Sequence, residues 1–200
     1  MSRRALARGS RHTWHMAPHV CPWWLGYALV IPLRRLLQDP AALLAPLVRE
    51  GMTVLEPGPG MGFFTLEAAR RVGHRGRVVA VDVQPKMLAA LRRRAERAGL
   101  SARIETREAR PDALGVSDLA GKVDLALALL VVHETPDPGG LFAELRSTLA
   151  PTGRVLFVEP RGHVSGAAFE ESLAAAERAG LSPSPGPKLW RTWSATLAPA

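Results

Sequence analysis

Residues 54–66, VLEPGPGMGFFTL, constrain this chain more than any other stretch. An apolar pair, Val54 and Leu55, ends at Glu56. Glycines then stand at alternate positions, Gly58, Gly60 and Gly62, and a helix-compatible apolar segment opens at Phe63. That is the order of a strand, a tight loop and a helix start. Glycine in such a loop permits positive φ and lets a ligand approach bare backbone. Twenty residues past Gly62 the chain reads VVAVD, so a second apolar run ends at Asp82. An acidic residue at that distance is where a β-α-β nucleotide unit holds a ribose diol.

The rest of the chain continues the alternation. Strand-like runs fall at about 53–56, 77–82, 102–106, 123–132 and 154–159. Helical segments fall between and after them, at about 63–72, 85–98, 140–149 and 167–179, with Gly99 and Gly180 as C-terminal stops. The run at 123–132 is continuously apolar, as expected of a parallel strand buried on both faces. Two-residue alternation at Leu189, Arg191, Trp193, Ala195 and Leu197 predicts a last strand after a Pro/Gly-rich connection. Alternating strands and helices imply an open, mostly parallel sheet with helices on both faces. Ligands in such a sheet bind beyond the strands' carboxyl ends.

Upstream, residues 1–18 read as a disordered basic tail and residues 19–50 as an N-terminal helical lid, leaving 51–200 as the ligand-binding domain. Of the formal +8 charge, +6 comes from Arg3, Arg4, Arg8, Arg11, Arg34 and Arg35, with no acid before Asp39, so the remainder is nearly balanced. Arg92, Arg93 and Arg97 read as the solvated face of a helix that turns Met87, Leu91 and Ala95 inward. The longest apolar stretch, residues 20–33, contains two prolines and falls short of the roughly 20 residues a membrane span needs. With one cysteine, Cys21, the chain can form neither an internal disulfide nor a cysteine-based zinc site, which suits a reducing cytoplasm. Nothing in the sequence speaks to oligomeric state.

The loop spacing is E-x-G-x-G-x-G, unlike the G-x-G-x-x-G of dinucleotide-binding dehydrogenases, and no P-loop pattern is present. Glu56-Pro57-Gly58-Pro59-Gly60-Met61-Gly62 resembles the first motif of the Rossmann-like (class I) S-adenosylmethionine-dependent methyltransferases, and Asp82 in VVAVDVQPKML resembles their second. The resemblance implies a three-layer α/β sandwich. Its sheet is mostly parallel, of the seven-stranded type, and the C-terminal strand is antiparallel. It also implies S-adenosylmethionine as cofactor. Glu56, Gly58, Pro59, Gly60 and Gly62 would face its methionine part, and Asp82 with Val83 its ribose. Glu108 and Ala109 stand where the family usually has an aspartate near the adenine.

Beyond the fourth strand, His133 and Glu134 occupy the place where acceptor and methyl should meet, and histidine titrates near neutrality. A pocket-lining role for His133 stands beside the catalytic one. Glu159 and His163 follow the fifth strand. Together with His133 and Glu134 they match no specific metal-binding spacing, so no metal is expected. Cys21, Trp23 and Trp24 would bring a lid over the acceptor, with Cys21 as a small buried hydrophobe or a thiol. The function expected is methyl transfer to a small-molecule acceptor. Nucleic acid is disfavoured because the basic excess lies mostly in the first 38 residues and no N-P-P-[YF] signature follows the fourth strand. The alternatives are an RNA or protein methyltransferase, or a non-catalytic protein that binds S-adenosylmethionine or another nucleoside. Arsenite methyltransferases resemble the core but depend on several cysteines, which this chain lacks.

Overall fold

The computed structural model describes residues 38–110 and 113–200. The predicted basic tail, most of the predicted lid, and Cys21, Trp23 and Trp24 lie outside the described residues. The described chain begins at a short helix, α1 (Pro40–Leu44), whose first turn is closed by Asp39: its carboxylate accepts from the Ala41 N–H at 2.8 Å, with proline in the first turn. There follow β1 (Thr53–Pro57), α2 (Thr65–Arg71), β2 (Arg77–Asp82), α3 (Pro85–Arg97) and β3 (Ile104–Glu108). The second half comprises β4 (Val123–Leu129), α4 (Pro138–Thr148), β5 (Leu149–Pro160), α5 (Gly166–Arg178), β6 (Leu181–Pro185) and β7 (Thr192–Pro199).

The strands form one sheet in the order β3-β2-β1-β4-β5-β7-β6. All neighbours from β3 to β5 pair in parallel, whereas β7 is antiparallel to both β5 and β6. This is the predicted sheet. Its order reverses between β1 and β4, which pair over only two registered positions, Val54↔Leu125 and Leu55↔Ala126. Sheets of this kind bind ligands beyond the carboxyl ends of the strands at such a reversal.

Strand parity divides the core into two layers. Leu55, Val79, Val81, Ala126, Ala128, Val155 and Phe157 face α4 and α5, where they meet Leu141, Phe142, Leu145, Phe169 and Ala176. Their neighbours Val54, Val78, Ala80, Leu125, Leu127, Leu156 and Val158 face the other side, packing with Leu44 of α1, Ala68 and Ala69 of α2, and Leu91 and Ala95 of α3. A strand covered on both faces must be apolar at every position, and this explains the unbroken run in β4. On the α5 side, Phe142 meets Phe157 edge-on at a centroid spacing of 5.4 Å, and Phe157, Phe169 and Trp193 then stack at 4.9 and 6.1 Å.

Several boundaries differ from the sequence reading. The fourth strand stops at Leu129 because Leu130 adopts φ 60, a left-handed conformation that ends the extended run. β5 starts early, at Leu149, through a pairing with Val123 ahead of a register shift. α2 begins at Thr65, later than read, because residues 61–64 still belong to the turn.

Candidate active site

Three loops meet at the crevice: residues 58–64 after β1, 83–84 after β2 and 130–134 after β4. In the first, Gly58, Gly60 and Gly62 all have positive φ, at 63°, 53° and 84°. Two of these positions have contrasting surroundings. A Cβ on Gly58 would lie 2.5 Å from Cγ2 of Val131, so glycine is what lets the β1 and β4 loops touch. A Cβ on Gly60 would have no protein atom within 4 Å, so this glycine bares its backbone to open space.

Glu56 and Asp82 lie behind this loop. Both are buried, at 2% and 7% exposure. Asp82 accepts from the Gln84 N–H at 2.9 Å through Oδ1 and from the Gly60 N–H at 3.3 Å through Oδ2. It therefore ties the ends of β1 and β2 together, and each oxygen keeps a lone pair to offer. Burial pushes its carboxyl up to about 6; the charge of Glu134 adds to this, and the backbone donors oppose it. Glu56 is pushed up to about 7, chiefly by burial, with the Asp82 charge adding to it. The nearby Thr65 hydroxyl partly offsets that rise. The two groups are neighbours, yet neither Glu56 Oε2 nor Thr65 Oγ1 makes a hydrogen bond of normal geometry. A buried carboxylate oxygen without a hydrogen bond of good geometry is costly.

Val83 is 46% exposed at the rim. Glu108, in register with Asp82, is exposed at the end of β3. The Ala109 N–H donates to the Asp82 carbonyl at 3.0 Å, so it is already committed within the sheet. Among the predicted cofactor residues, the structure thus brings Glu56, Gly60 and Asp82 closely together. Glu108 and Ala109 form the far edge.

A second group lies on the other side of the crevice. After the left-handed turn at Leu130, a 3-10 turn (Val132–Glu134) presents His133. Glu159, 1% exposed, reaches it from β5. Its Oε1 accepts from the His133 backbone N–H at 3.1 Å, and its Oε2 lies 2.5 Å from Nδ1. A carboxylate only accepts, so in the neutral ring the proton sits on Nδ1 and Nε2 carries the lone pair. The hydrogen bond that the ring donates to Glu159 raises the imidazole above its usual 6.5; burial opposes this, and the Glu159 and Glu134 charges add to it. Glu134 Oε1 stands 3.9 Å from Nε2.

Sequence reasoning placed Glu159 among acceptor-pocket residues. The structure places it at the cleft and in contact with His133, through both the backbone N–H and the ring. Its parity, shared with Phe157, turns it toward α4 and α5, whereas Glu56 shares the parity of Val54 and faces α2 and α3. The two pairs therefore leave the sheet on opposite faces and approach each other only at its carboxyl edge, where the charge of Glu134 acts on Asp82.

Before the pair lies an open cleft of about 610 Å³ between the β4 and β5 loops and α5, lined in part by His133, Thr135, Glu159, His163, Glu171 and Arg178. The His163 ring is 6.0 Å from that of His133, centre to centre. Its loop is held by the Trp193 indole N–H, which donates to the Val164 carbonyl at 3.0 Å, and by the Arg161 guanidinium, 4.0 Å over the Trp193 ring. Among the described residues, no three His, Cys, Asp or Glu side chains are arranged to hold a metal ion. Among those same residues, no helix is long and apolar enough to cross a membrane.

Sequence reasoning missed Thr65, Leu130 and Val131. Thr65 looks like any helix-start residue, and nothing in an apolar run marks Leu130 as left-handed. Val131 matters only through its contact with Gly58.

Comparison with known proteins accords with this geometry. The methyltransferase-domain family profile matches residues 48–190. The ubiquinone/menaquinone biosynthesis C-methyltransferase of Enterobacter sp. (strain 638) is 30% identical over 112 residues, 56% of this chain and 44% of that protein. An arsenite methyltransferase of Halobacterium salinarum is 32% identical over 114 residues, 57% of this chain and 27% of that protein. The matched stretches thus span less than half the length of these curated relatives. A SAM-dependent methyltransferase from Aquifex aeolicus superposes with a TM-score of 0.80 at 22% identity, covering 89% of this chain and 98% of that one, a likeness of fold. The family profile, the sheet order with its antiparallel β7, and the acid-flanked glycine loop agree: this chain belongs to the Rossmann-like S-adenosylmethionine-dependent methyltransferases.

Proposed function

We propose that the chain transfers a methyl group from S-adenosylmethionine to a small molecule carrying an ionisable O–H, N–H or C–H, with His133 as general base. The observation that carries this reading is the His133–Glu159 pair at the carboxyl ends of β4 and β5, across the crevice from the Glu56–Asp82 cradle. When bound, S-adenosylmethionine supplies an electrophilic methyl group on a sulfonium. The cradle suits such a group: Glu56 Oε2, which lacks a well-formed hydrogen bond, can accept one, Gly60 leaves room for close approach, and Asp82 offers lone pairs to vicinal hydroxyls.

On the other side, Nε2 of His133 takes the proton that the acceptor atom gives up as it gains the methyl. Glu159 fixes the tautomer and stabilises the imidazolium so formed. The proton then passes to solvent through the open cleft. Holding acceptor and donor on either side of one crevice supplies the proximity on which such a displacement depends. The small-molecule reading is favoured over RNA because the arginine run on α3 is partly engaged: Arg92 donates to Thr106 Oγ1 at 2.9 Å and Arg94 to the Met61 carbonyl.

The test is transfer of a tritiated methyl group from S-adenosylmethionine to a panel of phenols, enols and amines, using the unaltered chain and His133→Gln. Label in a small-molecule product, falling at least about 100-fold in the variant, supports the reading, since general-base catalysis contributes ~10²–10⁴. Label appearing only in RNA, or equal rates in both proteins, contradicts it.

A further inference from the structure

The glycine loop has little means of holding its own shape. Three left-handed glycines within five residues give it wide conformational freedom, yet the cradle requires one conformation. The structure shows what the loop rests on. Met61 is buried in a cluster with Met87 and Ala90 of α3. A Cβ on Gly62 would collide with the side chain of Leu91, so the loop backbone lies directly on the helix. One turn further along, the half-buried Arg94 donates from its guanidinium to the Met61 carbonyl. Residues 87, 90, 91 and 94 are spaced i, i+3, i+4 and i+7, which makes a single helix face. That helix starts beside Asp82, whose carboxylate holds the Gln84 N–H at its N-cap.

We infer that Arg94 is a positioning residue for the cofactor: its guanidinium straps the glycine loop onto α3, so that the Gly60–Gly62 backbone and Asp82 are held by one rigid element. The inference rests on the S-adenosylmethionine reading above. This contact between loop and helix is polar and directional. The apolar contacts of Met61 and Leu91 set the distance between loop and helix, and the hydrogen bond to a backbone carbonyl sets the orientation of the peptide plane. The Arg92–Arg94 run therefore does two jobs. Arg93 is exposed, whereas Arg94 is turned inward onto the loop.

The test uses Arg94→Met, which keeps much of the aliphatic stem, and Arg94→Lys, which can still donate to a carbonyl. Two quantities are read: S-adenosylhomocysteine affinity by calorimetry, and amide hydrogen exchange in the ligand-free chain. We expect Arg94→Met to weaken S-adenosylhomocysteine binding about tenfold, in the range for losing one charge-assisted hydrogen bond, and Arg94→Lys to recover part of it. Exchange in Arg94→Met should quicken selectively at Gly60 and Gly62, whose N–H groups donate to Asp82 and Pro59. Unchanged exchange at these amides overturns the strap. So does faster exchange spread evenly over the whole sheet, which would make Arg94 a general stability residue. If the unaltered chain fails to bind S-adenosylhomocysteine, the cofactor reading falls and Arg94's role toward that cofactor falls with it, while the exchange data still decide whether the strap exists.

Discussion

Replacing Glu56 with glutamine should make the ligand-free protein more stable at neutral pH and a poorer binder of its cofactor. Glu56 is fully buried, and its carboxyl is pushed from 4.5 up to about 7, first by burial. At about 1.4 kcal/mol for each pH unit between those values, holding the group ionised in the fold costs about 3 kcal/mol. The sign follows from proton binding. Between pH 4.5 and 7 the folded state keeps a proton that the unfolded state has lost, so stability falls as pH rises through that window and levels off above it. Glutamine has nearly the same shape and no charge, and its amide can donate to the neighbouring Thr65 oxygen. Urea unfolding of both proteins at pH 4.5 and pH 8 measures the effect. The expected result is near-equality at pH 4.5 and a gain of about 3 kcal/mol for Glu56→Gln at pH 8, or roughly 6–12 °C in Tm for a domain of this size. S-adenosylhomocysteine affinity should fall about 10- to 100-fold, the range for losing a hydrogen bond to a charged group. A stability difference that is the same at both pH values, or a variant weakened at pH 8, would refute the reasoning.

Four further outcomes follow from the same geometry. In a histidine NMR titration, His133 should titrate above 6.5, and Glu159→Gln should bring it down; the stability that the pair adds is full below 6.5 and disappears as pH rises through the folded value. Titration at the ordinary value in both proteins would remove Glu159 as its partner. Asp82→Asn should leave the fold intact and lower S-adenosylhomocysteine affinity by about tenfold or more, since a neutral amide accepts less strongly than a carboxylate; unchanged affinity would displace the ribose from Asp82. Gly58→Ala should destabilise the ligand-free chain by several kcal/mol, combining about 1–2 kcal/mol for its left-handed φ with about 1–3 kcal/mol for the clash with Val131. Gly60→Ala should incur only the conformational part yet block the ligand, so calorimetry and unfolding should rank the two variants in opposite order.

The sheet was legible because its signals are local and periodic. β1, β2 and α3 begin where an apolar run, a glycine turn or a proline at the first helical position announces them. The antiparallel β7 showed in the alternation around Trp193. What stayed hidden depends on contacts between distant residues. Leu130 takes a left-handed turn in the middle of an apolar run, and only the packing of Val131 against Gly58 gives that turn a purpose. Glu159 looked like one more polar residue at a strand end. Its contact with His133 requires both that β5 neighbours β4 and that its parity turns it toward that residue. The same holds for Arg94, one arginine in a run of three until the helix face and the loop are seen together. Glu56 and Asp82 stood out by motif, but the lack of a well-formed hydrogen bond at Glu56 Oε2 is a property of burial, and no spacing encodes it.

The measurement that bears most directly on the central claim is calorimetric titration of the unaltered, EDTA-treated chain with S-adenosylhomocysteine, with NAD as the control. The cradle of Glu56, Gly60 and Asp82 predicts one-to-one, micromolar binding of S-adenosylhomocysteine and no heat with NAD. Binding of NAD in its place, or of neither compound, would contradict it.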